Sequence, residues 1–382
     1  MNLSDILSAF AVHVPLLILC AGYLLIGAVS IRYGKKVNET KIGNQPYSPF
    51  ISVVMPTFNE EKIIASRLDS LMKTNYPKER IEVLVVDSSN DNTPSIIEHY
   101  ARRYSFIRLI HDVERRGLAT ALNQAFRECR GEIVVKMDSD VTLDEDTLRK
   151  IVSHFSDPHV GAVTGKVNVA NQTESSEVRY RSMHETIQKA ETNIDSVFMA
   201  QTFSAYRRNL MKEYKAKEYG DETIQTIHIR RQGYKVVYDP DVNFYEDYPD
   251  DGTERLRQKI RRAEGLLRVL FENARLAFNP RYGKFGTYVF PSNIFMFIIS
   301  PILLAATVML AILDLAFLSL ATYLDVAIIV LLAIVVLGRK SRMISGPWTF
   351  LELQYAQLRA LLNVSVLRKK DYKWTKIERV AA

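Results

Sequence analysis

Cysteine is scarce in this chain: Cys20 and Cys129 are the only two in 382 residues, which excludes a disulfide scaffold and a Cys-rich zinc site. Lysine and arginine are missing from Met1 to Ile31 and again from Phe285 to Gly338. Charge crowded into the middle and the tail predicts membrane segments joined to a soluble domain. Neither G-x-G-x-x-G nor G-x-x-x-x-G-K-[ST] occurs, which counts against a dinucleotide dehydrogenase and a P-loop NTPase. H-E-x-x-H and G-x-S-x-G are absent too, so a zincin and a nucleophile-elbow hydrolase lose their support. No internal repeat is visible. The average balance of 47% hydrophobic and 24% charged residues rules out disordered and collagen-like chains. The net charge of +7 suits anionic lipid or a nucleotide phosphate and decides neither.

Phe10 to Ile31 is apolar apart from His13, Pro15 and Ser30, long enough at about 1.5 Å per residue to cross a bilayer core of roughly 30 Å. A cleaved signal peptide wants basic residues before its apolar run, whereas Arg32, Lys35, Lys36 and Lys41 follow it. The run reads as an anchor whose downstream side is cytoplasmic. Phe290 to Leu337 is long enough for two spans, carries Asp314 and Asp325, and is closed by Arg339, Lys340 and Arg342. A hairpin turning between Asp314 and about Tyr323 returns the chain to the cytoplasm. Thr253 to Phe278 sets Leu256, Ile260, Leu267, Leu270 and Ala274 at helical spacing among arginines, and Trp348 to Leu367 repeats the pattern more weakly. Both are expected on the lipid surface. The resulting division is an anchor and basic linker (1–45), a cytoplasmic soluble domain (46–250), interfacial helices (251–288), a membrane hairpin (289–338) and a cytoplasmic tail (339–382).

Between the membrane segments, Ile51–Thr57, Ile81–Asp87, Ile107–Asp112, Glu132–Asp138, Val160–Val167 and Lys235–Asp239 read as short buried strands. Helical patterns at Glu60–Lys73, Asn92–Tyr104 and Leu118–Cys129 separate the early ones. This alternation predicts an α/β domain with a parallel, doubly wound sheet and a ligand at the carboxyl ends of its strands. Polar residues gather at those ends: Asn59 and Glu60, Asp87 to Thr93, Asp112 to Arg116, Asp138 to Asp140.

Asp138-Ser139-Asp140 ends an apolar strand. In an extended segment its two acids point the same way, toward one divalent cation. Oxygen ligands favour Mg²⁺ or Mn²⁺, with a diphosphate filling the other positions. Asp144-Glu145-Asp146 opens a helix and Asp239-Pro240-Asp241 sits on a proline turn, so neither is assigned to metal.

Four segments occur in order: Val53-Val54-Met55-Pro56-Thr57-Phe58-Asn59-Glu60-Glu61, Val85-Val86-Asp87-Ser88-Ser89-Asn90-Asp91-Asn92-Thr93, Arg116-Gly117-Leu118-Ala119-Thr120-Ala121-Leu122-Asn123 and Met137-Asp138-Ser139-Asp140. From about Phe50 to Tyr288 the chain resembles the inverting family 2 glycosyltransferases of GT-A fold, a Rossmann-like, mostly parallel sheet. The resemblance implies a nucleotide-sugar donor, expected to be a UDP-sugar, bound by Pro56, Thr57, Asn59, Glu60, Asp87, Ser89, Arg116, Gly117, Asn123, Asp138 and Asp140. In that family the position of Asp87 contacts the base, and the D-x-D holds metal and diphosphate.

Gly220-Asp221-Glu222-Thr223, followed by Arg230-Arg231-Gln232-Gly233-Tyr234, resembles the segment that carries the catalytic base, which assigns the role to Glu222 with Asp221 as runner-up. Gln258-Lys259-Ile260-Arg261-Arg262 resembles the Q-x-x-R-W element of polymerising members, placing Gln258, Arg261 and Arg262 near the acceptor or diphosphate. Arg262 stands where those members have Trp, which argues against processive synthesis. Residues 373–379 resemble the tail of membrane-bound members. The expected partners are the donor, a lipid-linked or glycan acceptor and membrane lipids, without nucleic acid; a homo-oligomer is compatible. The alternatives are a polymer-extruding synthase of the hyaluronan, chitin or cellulose type, a non-catalytic scaffold and a nucleotidyltransferase.

Overall fold

The computed structural model describes residues 3–34, 47–112, 114–169, 175–215, 221–246, 252–317, 322–338 and 344–367. Helix α1 (Leu3–Gly34) leads into β1 (Ile51–Thr57), α2 (Ile64–Met72), β2 (Ile81–Asp87), α3 (Thr93–Arg103), β3 (Ile107–His111), α4 (Leu118–Glu128) and β4 (Ile133–Met137). There follow β5 (Val141–Leu143), α5 (Thr147–Ser153), β6 (Val160–Val169), α6 (Ser175–Ile194), β7 (Phe203–Arg207), α7 (Asp221–Arg231), β8 (Lys235–Glu246) and α8 (Gly252–Glu272). The carboxyl-terminal part comprises α9 (Phe290–Ile294), α10 (Ser300–Phe317), α11 (Thr322–Leu337) and α12 (Ser345–Leu361).

The eight strands among the described residues form one sheet, in the order β3-β2-β1-β4-β7-β6-β8-β5. The first half is parallel, as the alternating pattern predicts. The second half is mixed: β7 runs antiparallel to both β4 and β6, and β5 antiparallel to β8. Strands β5 and β7 are the two that sequence reading misses, because three or five residues are too few for a periodicity to show. Asp239-Pro240-Asp241 lies inside β8, not on a turn. The register jumps there from Gly165↔Asp239 to Lys166↔Asn243, so the proline occupies a bulge where no ladder bond is lost.

Side-chain alternation along the strands divides the core in two. Ile51, Val53, Met55, Val83, Val85, Ile133 and Val135 face α2, α3 and α5 through Leu68, Ile97 and Ile151. Val54, Leu84, Val86 and Val134 face the other way, onto Leu122 of α4, Ile224 and Ile227 of α7, Leu266 and Leu270 of α8, and Phe285, Val289 and Phe290. Part of the α8 stripe packs on protein: Leu270 lies beneath the sheet, and Leu267 meets Ala360 and Leu361 of α12. Lys259 pairs with Glu352 at 2.7 Å and Asn363 donates to Glu264 at 2.6 Å, fastening α8 to α12.

Among the described residues two stretches are long and apolar enough to cross a membrane by length and composition, His13–Gly34 and Phe285–Leu313; Val326–Leu337 is a shorter apolar helix. The second stretch contains π-helical turns at Phe285–Val289 and Phe295–Ile299, each just ahead of a proline, Pro291 and Pro301. A proline inside a helix donates no N–H and crowds the preceding turn, and a widened turn absorbs both defects. Helix α10 continues through Asp314 to Phe317 and α11 starts at Thr322, so Asp314 and Tyr323, expected to bound the turn, both lie in helices. Its residues 318–321, with Lys35, Lys36, Lys41, Arg339, Lys340, Arg342 and the 373–379 segment, lie outside the described residues. Helix α1 packs against the π-helical turn ahead of α10, where Gly22 admits the Phe295 ring; a Cβ there would sit 2.0 Å from it. Beside that contact, Tyr23, Ser300 and Gln354 join α1, α10 and α12 by hydrogen bonds of 2.6–3.2 Å.

Candidate active site

The site forms where β1, β2, β3 and β4 end. Thr57 and Asp87 are register partners at the last positions of β1 and β2. The Asp87 carboxylate is fully buried. It accepts from Thr57 Oγ1 at 2.6 Å, from Ser89 Oγ at 2.5 Å and from the Ser89 N–H at 3.1 Å, and its Oδ2 lies 3.2 Å from His111 Nδ1. Asp87 is therefore braced by the protein's own donors at the ends of β1, β2 and β3. His111 ends β3 with 36% of its side chain exposed and is the member of this pair presented outward.

The loop after β1 is tied to the loop after β2. Asn59 adopts φ 56°, a left-handed conformation that asparagine tolerates. Its N–H donates to Ser89 Oγ at 2.6 Å and its Oδ1 accepts from the Asn90 N–H at 2.9 Å. The Glu60 N–H donates to Thr93 Oγ1 at 2.8 Å, and the buried Glu60 carboxylate accepts from Ser139 Oγ at 3.3 Å. Pro56, Thr57, Asn59, Glu60, Asp87 and Ser89 thus form one cross-linked rim that reaches the Asp138–Asp140 turn. Arg116 pairs with Asp112, and Arg115 lies over the Phe58 ring at 3.8 Å. Gly117 starts α4 at φ 95°. Asn123 is drawn away from this rim: its amide donates to the Tyr214 carbonyl and accepts the Tyr214 N–H, both at 2.8 Å, and so clamps the segment after β7.

Asp138 and Asp140 flank a turn closed by the Val141 N–H on the Asp138 carbonyl at 3.1 Å, which replaces the extended geometry expected of them. The Asp138 side chain is 31% exposed and the pair supplies hard oxygen donors, a set that fits Mg²⁺ or Mn²⁺ once a diphosphate completes the shell. Among the described residues no group of three or more His, Cys, Asp or Glu could hold a metal by itself.

Sequence reasoning overlooked Lys136. Its Nζ is 3.0 Å from Asp138 Oδ1 and 2.5 Å from Glu222 Oε1, so one buried ammonium joins the D-x-D to the first turn of α7. The signal was available: a lysine inside the apolar run Ile133-Val134-Val135-Lys136-Met137 needs a partner at depth. Asp221 opens α7, and its side chain lies outside the described ones.

A second acid, Glu246 at the end of β8, is also missed by the motifs. Burial alone would raise its pKa, but Arg262, Arg181 and the Thr202 hydroxyl overcome this and hold it below the usual carboxylate range. Arg262 of α8 is thus balanced by Glu246 across from the 198–203 segment, while Gln258 and Arg261 lie on the same helix, half-buried. In α6, Glu191 is buried against the Phe198 N–H at 3.0 Å and Asn293 Nδ2 at 2.6 Å. Burial raises its pKa to about 7.

Residues 52–215 match the family described as Glycosyl transferase family 2. An N-acetylglucosaminyltransferase from Rhizobium meliloti is 28% identical over 298 residues, which cover 71% of this chain and 68% of the relative. A poly-beta-1,6-N-acetyl-D-glucosamine synthase from Staphylococcus aureus is 24% identical over 279 residues, covering 68% and 67%. The chain spans between 55% and 68% of the length of the curated relatives it matches. Among solved structures, the mannosyltransferase PcManGT from Pyrobaculum calidifontis, in complex with GDP-Man and Mn²⁺, superposes with a TM-score of 0.75 at 26% identity, covering 96% of this chain and 98% of that one.

Proposed function

We propose that this chain, whose residues 52–215 match Glycosyl transferase family 2 and whose fold superposes on a solved mannosyltransferase, is a glycosyltransferase that moves a sugar from a nucleotide-sugar, a UDP-sugar, to a lipid-linked or membrane-proximal glycan. Transfer proceeds by single displacement with inversion, on the cytoplasmic side of a membrane. The observation that carries this reading is the convergence of Asp138 and Glu222, from distant parts of the chain, on Lys136. A GT-A neighbour solved with a nucleotide-sugar and Mn²⁺ supports the donor class and the metal.

Asp138 and Asp140 would hold the cation, which supplies positive charge to neutralise the departing diphosphate. Glu222 takes the proton of the acceptor hydroxyl as its oxygen bonds to the anomeric carbon and the bond to the diphosphate breaks. The stitched rim from Pro56 to Ser89 orients the nucleotide, and Gln258, Arg261 and Arg262 approach the acceptor or the diphosphate. Membrane attachment is supported by the two long apolar stretches, and by the large apolar side chains that α1, α10 and α11 leave exposed, such as Leu24, Leu25, Met309 and Leu331. In water such a belt would drive aggregation.

The test uses purified full-length protein in detergent with membrane lipid extract, Mn²⁺ and labelled UDP-N-acetylglucosamine, UDP-glucose or GDP-mannose. Nucleoside diphosphate release reports the donor. Product entering the organic phase supports a lipid-linked acceptor, and a large water-soluble product would favour the synthase alternative. Glu222→Gln should keep donor binding and lose about 100-fold or more in transfer. Asp138→Asn should abolish metal-dependent release. Wild-type turnover in Glu222→Gln would move the base elsewhere.

A further inference from the structure

Lys136 has 1% of its side chain exposed. Taking an ammonium out of water costs several kcal/mol, so a cation persists at that depth only when its partners offset the loss. Asp138 and Glu222, the acids that meet it, each have proposed work, and the strand neighbours Val135 and Met137 are fully buried. A lysine placed only to fill the core would gain nothing from carrying charge. Asp138 and Glu222, brought together, would repel each other without a cation between them.

We propose that Lys136 is a positioning residue, a counter-ion shared by Asp138 and Glu222 that sets the Glu222 carboxylate beside the donor site and competes with a divalent cation for Asp138. This deepens the transferase reading and rests on Glu222 as the base. Two effects of opposite sign follow. Removing the ammonium frees Asp138 Oδ1 and makes the pocket more negative, so Mn²⁺ should bind about 3- to 10-fold tighter. The same change releases Glu222 from its anchor, and a displacement of about 1 Å at a reacting group is enough to lower turnover about 100-fold. In Glu222→Gln the ammonium loses one carboxylate and leans more on Asp138, so Mn²⁺ binding should weaken about 3-fold, and that weakening should vanish when Lys136→Met is added.

The experiment titrates Mn²⁺ in the presence of UDP, without acceptor, by electron paramagnetic resonance on the full-length protein and on Lys136→Met, Glu222→Gln and the double variant. Turnover and donor KM are measured beside it. Tighter Mn²⁺ binding with a lower kcat and an unchanged KM in Lys136→Met supports the assignment. Weaker Mn²⁺ binding in step with lost turnover is what a core-packing role predicts, and it would overturn it. If Lys136→Met does not fold, Glu222→Gln still decides, since Mn²⁺ affinity that is unchanged or tighter there refutes a shared counter-ion. Full turnover in Glu222→Gln would instead defeat the base reading, leaving the Mn²⁺ titrations to judge the pairing with Asp138.

Discussion

Replacing Glu191 by Gln tests how the buried face of α6 is held against the second apolar stretch. Burial raises the Glu191 pKa from 4.5 to about 7, partly countered by the Phe198 N–H and Asn293. Below about pH 4.5 the side chain is neutral in both folded and unfolded chains, and its burial costs no charge. As the pH climbs toward 7 the unfolded chain ionises freely while the fold retains the proton, so this favourable contribution shrinks and is gone above the folded pKa. The difference between the two pKa values corresponds to about 3 kcal/mol of stability lost between pH 4.5 and 8. Gln keeps an oxygen for the Phe198 N–H and carries no charge, so it removes the pH dependence while preserving shape. Melting curves in detergent from pH 4.5 to 8 should show wild type losing roughly 5 °C relative to Glu191→Gln as the pH rises. Two melting profiles that stay parallel across that range would refute the raised pKa.

Two further outcomes concern the backbone and the topology. Gly117→Ala should destabilise by about 1–3 kcal/mol, because φ 95° with ψ 164° is nearly closed to side chains. No atom lies within 4 Å of the added Cβ, so the cost is conformational; an unchanged denaturation midpoint would contradict it. A Ser48→Cys variant should react with a membrane-impermeant thiol reagent only from the cytoplasmic side, and labelling of intact cells from outside would reverse the proposed orientation.

Much of the parallel half of the sheet was legible in the chain. The predicted limits of β1 and β2 coincide with the observed ones, because both are apolar runs, interrupted only by Ser52 and Glu82, that end in polar residues. The rim residues Thr57, Asn59, Glu60, Asp87 and Ser89 do meet, as their strand-end positions predicted. The turn at Asp138–Val141 was not legible, since it depends on β5 reversing to pair with β8. Nor was the clamp between Asn123 and Tyr214, which joins two segments far apart in sequence. The apolar stripe of α8 was visible, but an amphipathic pattern is the same whether lipid or protein covers it.

Composition and local order along the chain were sufficient to identify a family 2 transferase domain, to mark its strand-end acids and to find the apolar stretches, because these depend on residues near one another in sequence. Tertiary structure alone decided that Lys136 would stand between Asp138 and Glu222, that Asp87 would be braced by four protein contacts, and that α8 would cover the underside of the sheet. Charge balance and burial depend on distances between remote segments, and a linear sequence holds those distances only through the fold it adopts.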